Sequence, residues 1–280
     1  MMRHLSPHLV RTSSCLALAL LWACEGSQTN APDGEGPATR PVQGEGGATP
    51  SPTAAPTPAG ARSVSEETDD FVFNYSYPAE AGNIAELAQL LDARLDRARE
   101  RIAREAARGK SEARENGFPF NKYSSGMEWQ VVADLPGWLS LSGSQRSYTG
   151  GAHGIYGLQS MLWDKRNGEA LPGIELFSSA QELSDSLGER YCDALNGLRA
   201  ERLSQPFDEN TVFGDCPALE DLSVLLGSSD GKRFDRLTLY AGPYVAGSYA
   251  EGAYSVNLDV DQAILGAVKP EFRESFNARN

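Results

Sequence analysis

The sequence predicts an α+β fold with antiparallel sheets and two main helices. Aromatic residues occupy every second position from Phe71 to Tyr77, which is typical of a strand with one buried face. Apolar residues recur at helical spacing from Ile84 to Ile102 and again from Leu183 to Leu198. Because strands and helices are mixed without a regular βαβ repeat, we expect antiparallel pairing rather than a doubly wound parallel sheet.

The first helix is predicted to begin at a capping box and to end near a glycine. Asn83 and Glu86 have the capping-box spacing, and the helix should end between Gly109 and Gly117. The face opposite the apolar stripe is charged and carries Arg94, Arg97, Glu100, Arg101, Arg104 and Glu105. We interpret this face as solvated, with a favourable i,i+4 pair between Glu100 and Arg104.

The other elements follow from shorter patterns. Strands are predicted around residues 128–133, 138–142, 157–163, 234–240 and 254–260. Asn167-Gly168 predicts a hairpin turn. Ser178 with Gln181 predicts the start of the second helix, and residues 261–268 should form a short terminal helix.

The N-terminal segment has the layout of a secretory signal. A basic stretch precedes the apolar run that ends at Cys24, and Leu21-Trp22-Ala23-Cys24 resembles a bacterial lipobox apart from Trp22. We expect residues 1–23 to be a lipoprotein signal peptide and Cys24 to carry the lipid; an ordinary cleaved signal is the alternative. Because Glu25 stands where an inner-membrane retention signal usually has Asp, the pattern favours the periplasmic face of the outer membrane in the cell envelope. Residues 24–66 are rich in Pro and Gly, which predicts a disordered tether.

Composition narrows the classes of partner. Without residues 1–23 the chain has 23 basic and 38 acidic residues, a net charge of −15. An acidic chain of this kind argues against nucleic acid as a partner. Cys192 and Cys216 form an even pair in an oxidising compartment, so we expect a disulfide; catalytic or metal-binding thiols are the competing interpretation.

His153 is the only histidine after the predicted signal, and it lies in a glycine-rich loop. It could act as a general base, join a triad with Ser144 or Ser147, bind a metal with carboxylates, or shape a binding edge as a structural residue. No nucleophile elbow and no second His or Cys ligand at short spacing accompanies it. The sequence therefore predicts no catalytic set, no metal site and no cofactor.

A family resemblance is carried by two loops. The loops are Tyr148-Thr149-Gly150-Gly151-Ala152-His153-Gly154 and Pro243-Tyr244-Val245-Ala246-Gly247, and the helix start Ile174-Glu175-Leu176-Phe177 lies between them. Together they resemble the extracellular module of the RsiV-type lysozyme-sensing anti-sigma factors, which also occurs beside some peptidoglycan deacetylase domains. The resemblance spans roughly residues 69–268. This chain shows neither a sigma-binding segment nor a deacetylase catalytic domain, so neither of those activities is expected.

The resemblance implies two closely packed α+β subdomains, here residues 67–172 and 173–280, that act in the cell envelope by binding. The candidate binding loops comprise Tyr148, Gly150, Gly151, His153, Gly154, Pro243, Tyr244 and Gly247. The expected function is a lipid-anchored, non-catalytic module that recognises an envelope protein or peptidoglycan, with lysozyme as a candidate ligand. The alternative is an envelope hydrolase that acts on cell-wall polysaccharide through His153.

Overall fold

The computed structural model describes residues 59–279. The predicted signal peptide, Cys24 and most of the predicted tether lie outside the described residues. No helix within residues 59–279 is long and apolar enough to cross a membrane.

A six-stranded sheet forms the first half of the described chain. Its strands are β1 (Arg62–Glu67), β2 (Phe71–Tyr77), β3 (Tyr123–Asp134), β4 (Trp138–Tyr148), β5 (Ile155–Asp164) and β6 (Glu169–Leu171), and they lie side by side in chain order. The sheet is mainly antiparallel, but β2 and β3 pair in parallel. A parallel pair needs a long crossover connection, which the first two helices provide here.

Those two helices are α1 (Ala79–Gly82) and α2 (Ala85–Asn116). The buried positions of α2 follow the predicted stripe and include Leu87, Leu91, Leu95 and Ile102. They pack on Phe73 and Trp129 and build one hydrophobic core between α2 and the sheet. The helix ends at Gly117, whose φ of 72° is the left-handed conformation of a glycine cap.

The predicted capping box at Asn83 is wrong. Asn83 terminates α1 instead, and its helical backbone (φ −80°, ψ −7°) lacks the extended conformation of an N-cap. Ile84 takes the N-cap position of α2 without any side-chain cap. The extra turn of α1 displaces the start of α2 by one residue.

The second half of the described chain has a three-stranded antiparallel sheet. Its strands are β7 (Ser223–Gly227), β8 (Arg236–Ala241) and β9 (Tyr254–Asp259), in that order. Helices α3 (Ala180–Leu187), α4 (Arg190–Leu203) and α5 (Gln262–Ala267) accompany it. The predicted short terminal helix is therefore present, with Asp261 as its N-cap.

The second predicted helix needs two corrections. Its N-cap is Ser179, whose hydroxyl accepts from the Glu182 backbone N–H, so the capping box lies one residue later than Ser178 with Gln181. The helix is also divided into α3 and α4 at Gly188, where φ is 55° and ψ is −138°. That backbone conformation is incompatible with a continuous helix.

The folded part begins before residue 67, which corrects the predicted extent of the tether. Residues 62–67 form β1, an edge strand that pairs with β2 from Arg62 opposite Tyr77 to Glu67 opposite Val72. Only alternate residues of β1 are partly covered and none is fully buried. The strand is held by backbone pairing rather than by a hydrophobic face, so its composition gave no signal.

A second hydrophobic core fills the space between the smaller sheet and its helices. Trp138 and Leu162 of the larger sheet belong to this second core, whereas Leu139 and Trp163 belong to the first. Successive residues of β4 and β5 thus face opposite cores. Strands β4 and β5 therefore contribute to both cores and pack the larger sheet against the smaller one. The arrangement of sheets and helices confirms the α+β class.

Cys192 on α4 and Cys216 lie where the predicted pairing requires them. Their Cα atoms are 5.7 Å apart, and the structure joins the two sulfur atoms in a disulfide. The bridge fastens the segment after α4 back onto that helix.

Candidate functional site

Two loops that are distant in sequence meet at one surface. The first connects β4 to β5 and carries His153, and the second connects β8 to β9 and carries Tyr244. The Tyr244 hydroxyl lies 3.3 Å from His153 Nε2, although the two residues are 91 positions apart. The structure therefore brings together the two candidate binding loops that the sequence singled out.

Four rings form the centre of this surface, and we call them the aromatic cluster: His153, Tyr156, Tyr244 and Tyr249. The His153 ring stacks on Tyr249 with centroids 3.8 Å apart. Tyr249 also lies 5.7 Å from Tyr244 and meets Tyr156 edge-on at 5.9 Å. The Tyr249 hydroxyl donates to the Gly154 carbonyl at 2.8 Å, which ties the second loop to the backbone of the first.

The first loop needs glycine at three positions, because of positive φ angles at two of them and a close backbone approach at the third. Gly150 and Gly151 have φ values of 95° and 90°, which side chains with a Cβ rarely adopt. A Cβ on Gly154 would lie 2.8 Å from the Ser147 carbonyl oxygen. The Tyr148 hydroxyl donates to the Gly151 carbonyl at 3.2 Å and closes the loop.

Tyr244 is held in a strained and exposed position. Its φ is 69°, in the left-handed region, and the residue is 55% exposed. Its backbone N–H donates to the Gly247 carbonyl at 3.0 Å within a tight turn that follows Pro243. Non-glycine residues in this conformation are uncommon and concentrate at functional sites.

The second loop is supported from behind by Glu251. A Cβ on Gly247 would lie 2.6 Å from a Glu251 carboxylate oxygen, so glycine lets this side chain pass close to the backbone. Burial alone would raise the pKa of Glu251, but hydrogen bonds from the Ser248 backbone and hydroxyl and from the Tyr254 hydroxyl outweigh it and lower the pKa. The carboxylate therefore stays charged and pins the loop.

Two arginines of α4 complete this support. Arg199 is buried, and its guanidinium donates to the Ala246 carbonyl at 2.8 Å and to the Asp215 carbonyl at 3.3 Å. Arg202 lies over the Tyr254 ring and donates to the carbonyl of Glu251 at 2.7 Å. Burial lowers the pKa of Arg199, yet its carbonyl partners keep it hydrogen-bonded.

Both ring nitrogens of His153 are already engaged. Nδ1 lies 2.9 Å from the Gly154 carbonyl and is assigned as the donor, so Nε2 accepts from the Tyr244 hydroxyl. Within residues 59–279, neither the Ser144 nor the Ser147 hydroxyl makes a hydrogen bond to the ring. The His153 ring therefore joins the two loops through its two nitrogens.

Within residues 59–279, no group of three or more His, Cys, Asp or Glu side chains could hold a metal ion.

Tyr156 and Tyr249 were missed by the sequence analysis. Tyr249 lies two residues after Gly247, and Tyr156 lies two residues after Gly154. A tyrosine shortly after each glycine-rich loop could have indicated these two residues, but nothing in the sequence indicates that the loops meet.

Comparisons with known proteins show similarity to one family model and to solved structures. Residues 64–156 match the family model described as "Deacetylase PdaC". This segment is roughly a third of the chain and includes the His153 loop but not the Tyr244 loop. No curated protein matches the chain.

Two similar solved structures belong to the DUF3298 family. One is a protein of Pseudomonas aeruginosa PAO1, with 18% identity and a TM-score of 0.46, covering 80% of this chain and 99% of that one. The other comes from Bacteroides fragilis NCTC 9343, with 18% identity and a TM-score of 0.44, covering 71% of this chain and 88% of that one.

Proposed function

We propose that this chain is a non-catalytic binding module of the cell envelope, held by a lipid on Cys24, and that its ligand contacts the aromatic cluster. Lysozyme and peptidoglycan are the two ligand candidates, in keeping with the resemblance to RsiV-type sensors. The lipid makes the contact with the membrane.

One observation carries this proposal: two loops from different sheets build a single exposed aromatic surface around Tyr244. Tyrosine supplies a large, rigid contact area with a polar end, and it is enriched among the residues that dominate binding energy. The hydrogen bonds of Arg199 and Glu251 hold the second loop in place before any ligand arrives. A preorganised surface loses less conformational entropy on binding.

Charge supports a basic protein ligand. The chain without its predicted signal has a net charge of −15, and a basic lysozyme would be steered toward it at low ionic strength. Binding to lysozyme should therefore weaken as salt increases.

The test is calorimetric titration of the full chain with lysozyme, together with co-sedimentation with purified sacculi. Tyr244→Gly removes the ring and relieves the positive φ, so it should abolish or weaken binding about tenfold without unfolding the loop. Phe118→Ala is the matched control, because Phe118 is an exposed aromatic on a different loop. Absence of binding to both ligands would overturn the proposal.

The hydrolase alternative is tested separately. Because His153 serves both loops structurally, we expect the wild-type protein to release no soluble fragments from sacculi. Release that disappears in His153→Gln, in a protein that remains folded by circular dichroism, would replace the binding proposal with the enzymatic one.

The lipid anchor needs its own measurement. Mass spectrometry of the mature N-terminus from envelope fractions should find acylated Cys24 and a loss of that mass in Cys24→Ala. An unmodified N-terminus would reject the anchor while leaving the binding surface untouched.

A further inference from the structure

A second site lies away from the aromatic cluster, between α2 and the face of the larger sheet. It is a cavity of about 340 Å³, a size found among small-ligand sites. Arg94, Arg97 and Arg101 form its helical wall, and Trp129 contributes to its floor. We call it the arginine cleft.

The three arginines form a row along one helix face. Their spacing of three and four residues places them on the same side of α2. With a helical rise of 1.5 Å per residue, the row extends over about 10 Å. Ala98 lies between them and leaves the room that the cavity occupies.

None of these three guanidinium groups has a charged partner in the described part of the chain. Other arginines of α2 do: Arg99 pairs with Glu66, Arg104 with Glu100 and Arg108 with Glu112. Within residues 59–279 the cleft arginines make neither a salt bridge nor a side-chain hydrogen bond, and Arg94 lies over the Trp129 ring at 5.9 Å.

Arginines without salt-bridge partners are unexpected in a protein with an excess of acidic residues. The chain has 38 acidic and 25 basic residues, yet no carboxylate within residues 59–279 forms a salt bridge with the row. Like charges three and four residues apart on a helix repel one another. An anionic ligand that entered the cleft would relieve this repulsion and gain charge-assisted hydrogen bonds.

The opposite side of the cleft is polar and amide-rich. The Gln159 amide donates to the Gln145 amide oxygen at 2.7 Å, and both side chains line the cavity. Ser125 and Ser147 add hydroxyl groups, and Ile155, which is 63% exposed, adds an apolar edge. Amides and hydroxyls pair well with peptide groups, and the apolar edge suits short aliphatic side chains.

We propose that the arginine cleft binds a short acidic peptide segment, whose carboxylates align with Arg94, Arg97 and Arg101. Arginine is suited to this role because its planar fork binds a carboxylate through two hydrogen bonds. The site goes beyond the proposed function, since a basic lysozyme would be repelled here. It also revises part of the charged face of α2 from a solvated surface to a binding surface.

The test uses a blocked, fluorescently labelled pentapeptide with glutamate at alternate positions. The full chain is titrated into this peptide, and binding is followed by fluorescence anisotropy. We expect saturable binding that weakens with salt, and a rise in Kd of at least about tenfold in the Arg97→Gln/Arg101→Gln double variant. Arg114→Gln is the matched control, because Arg114 lies on the same helix, outside the cleft, and makes no salt bridge within residues 59–279 either. Its Kd should stay within about twofold of the wild-type value.

Three results would overturn the proposal. They are absence of binding by the wild-type chain, an equal loss in the Arg114 control, and equal affinity for a peptide with glutamine in place of glutamate. Inorganic phosphate is titrated in parallel, and binding of phosphate without the peptide would replace the peptide by a phosphate-bearing ligand. Lysozyme binding is measured on the same double variant, and it should persist. A failure of the arginine-cleft proposal can therefore be distinguished from a failure of the proposal that the aromatic cluster binds the ligand.

Discussion

Two buried tyrosines illustrate how single polar groups affect this fold. Burial raises the pKa of Tyr191 to about 12, and its hydroxyl, among the described residues, has no hydrogen-bond partner. Burial first, and then the hydrogen bond to the Asp92 carboxylate, raise the pKa of Tyr77 to about 12 as well. Both groups favour the neutral, protonated form in the folded state. Below pH 10 this preference leaves the free energy of unfolding unchanged, and that free energy falls as the pH rises from 10 toward 12.

We therefore predict opposite effects of two Tyr→Phe variants at neutral pH. Tyr191→Phe removes an unpaired buried hydroxyl and should leave stability unchanged or raise it by up to about 1 kcal/mol. Tyr77→Phe removes a hydrogen bond to a carboxylate and should lower stability by about 1–2 kcal/mol. Both should flatten the decline of Tm between pH 9 and 12 in thermal melts. A lower Tm for Tyr191→Phe at pH 7 would show that its hydroxyl has a partner.

Single residues of the candidate site were partly predictable from the sequence. His153 and Tyr244 could be selected because glycines surround each of them, which signals an unusual backbone. Tyr249 follows Gly247 by only two residues, but its importance comes from a stack on a ring 96 positions earlier in the chain. Tertiary proximity of this kind leaves no periodic pattern.

Elements with strong periodicity were predictable, and elements held by tertiary pairing were not. The stripe of α2 and the alternation of β2 are long enough to identify both. Strand β7 is a short apolar run of Val224, Leu225 and Leu226, all buried, and such a run is ambiguous between strand and helix. The break at Gly188 was hidden because apolar residues continue at i,i+4 spacing across it.

A pair of glycine variants tests the division between α3 and α4. A Cβ would find open space at both Gly188 and Gly197, so backbone conformation alone decides the effect. Gly188→Ala should destabilise by about 1 kcal/mol, because φ there is positive. Gly197→Ala, inside α4, should stabilise by up to about 1 kcal/mol through helix propensity. Equal effects in urea denaturation would indicate one continuous helix.

On the scale of the whole molecule, α4 connects the disulfide to the candidate binding surface. Cys192 on α4 is bridged to Cys216, and Arg199 on the same helix reaches both the Asp215 and the Ala246 carbonyls. The order of the Tyr244 loop thus depends on a region that the disulfide restrains.

Loss of the disulfide should accordingly weaken both stability and the surface. For a loop closed by a separation of 24 residues, the double Cys192→Ser/Cys216→Ser variant should lose about 3–4 kcal/mol of unfolding free energy. Urea denaturation measures this loss, with the reduced wild-type protein as control. A loss below about 1 kcal/mol would mean that the bridge adds little to the folded state.

The most direct test of the aromatic cluster as a binding surface is the NMR signal of the His153 imidazole. In the isotope-labelled full chain it is assigned by its absence from His153→Gln, and unlabelled lysozyme or soluble peptidoglycan fragments are then titrated. Because His153 stacks on Tyr249 and accepts from Tyr244, a ligand on this surface must change its environment. Our account predicts a saturable shift or broadening of this signal with at least one of the two ligands. A His153 signal that stays fixed through both titrations would contradict it.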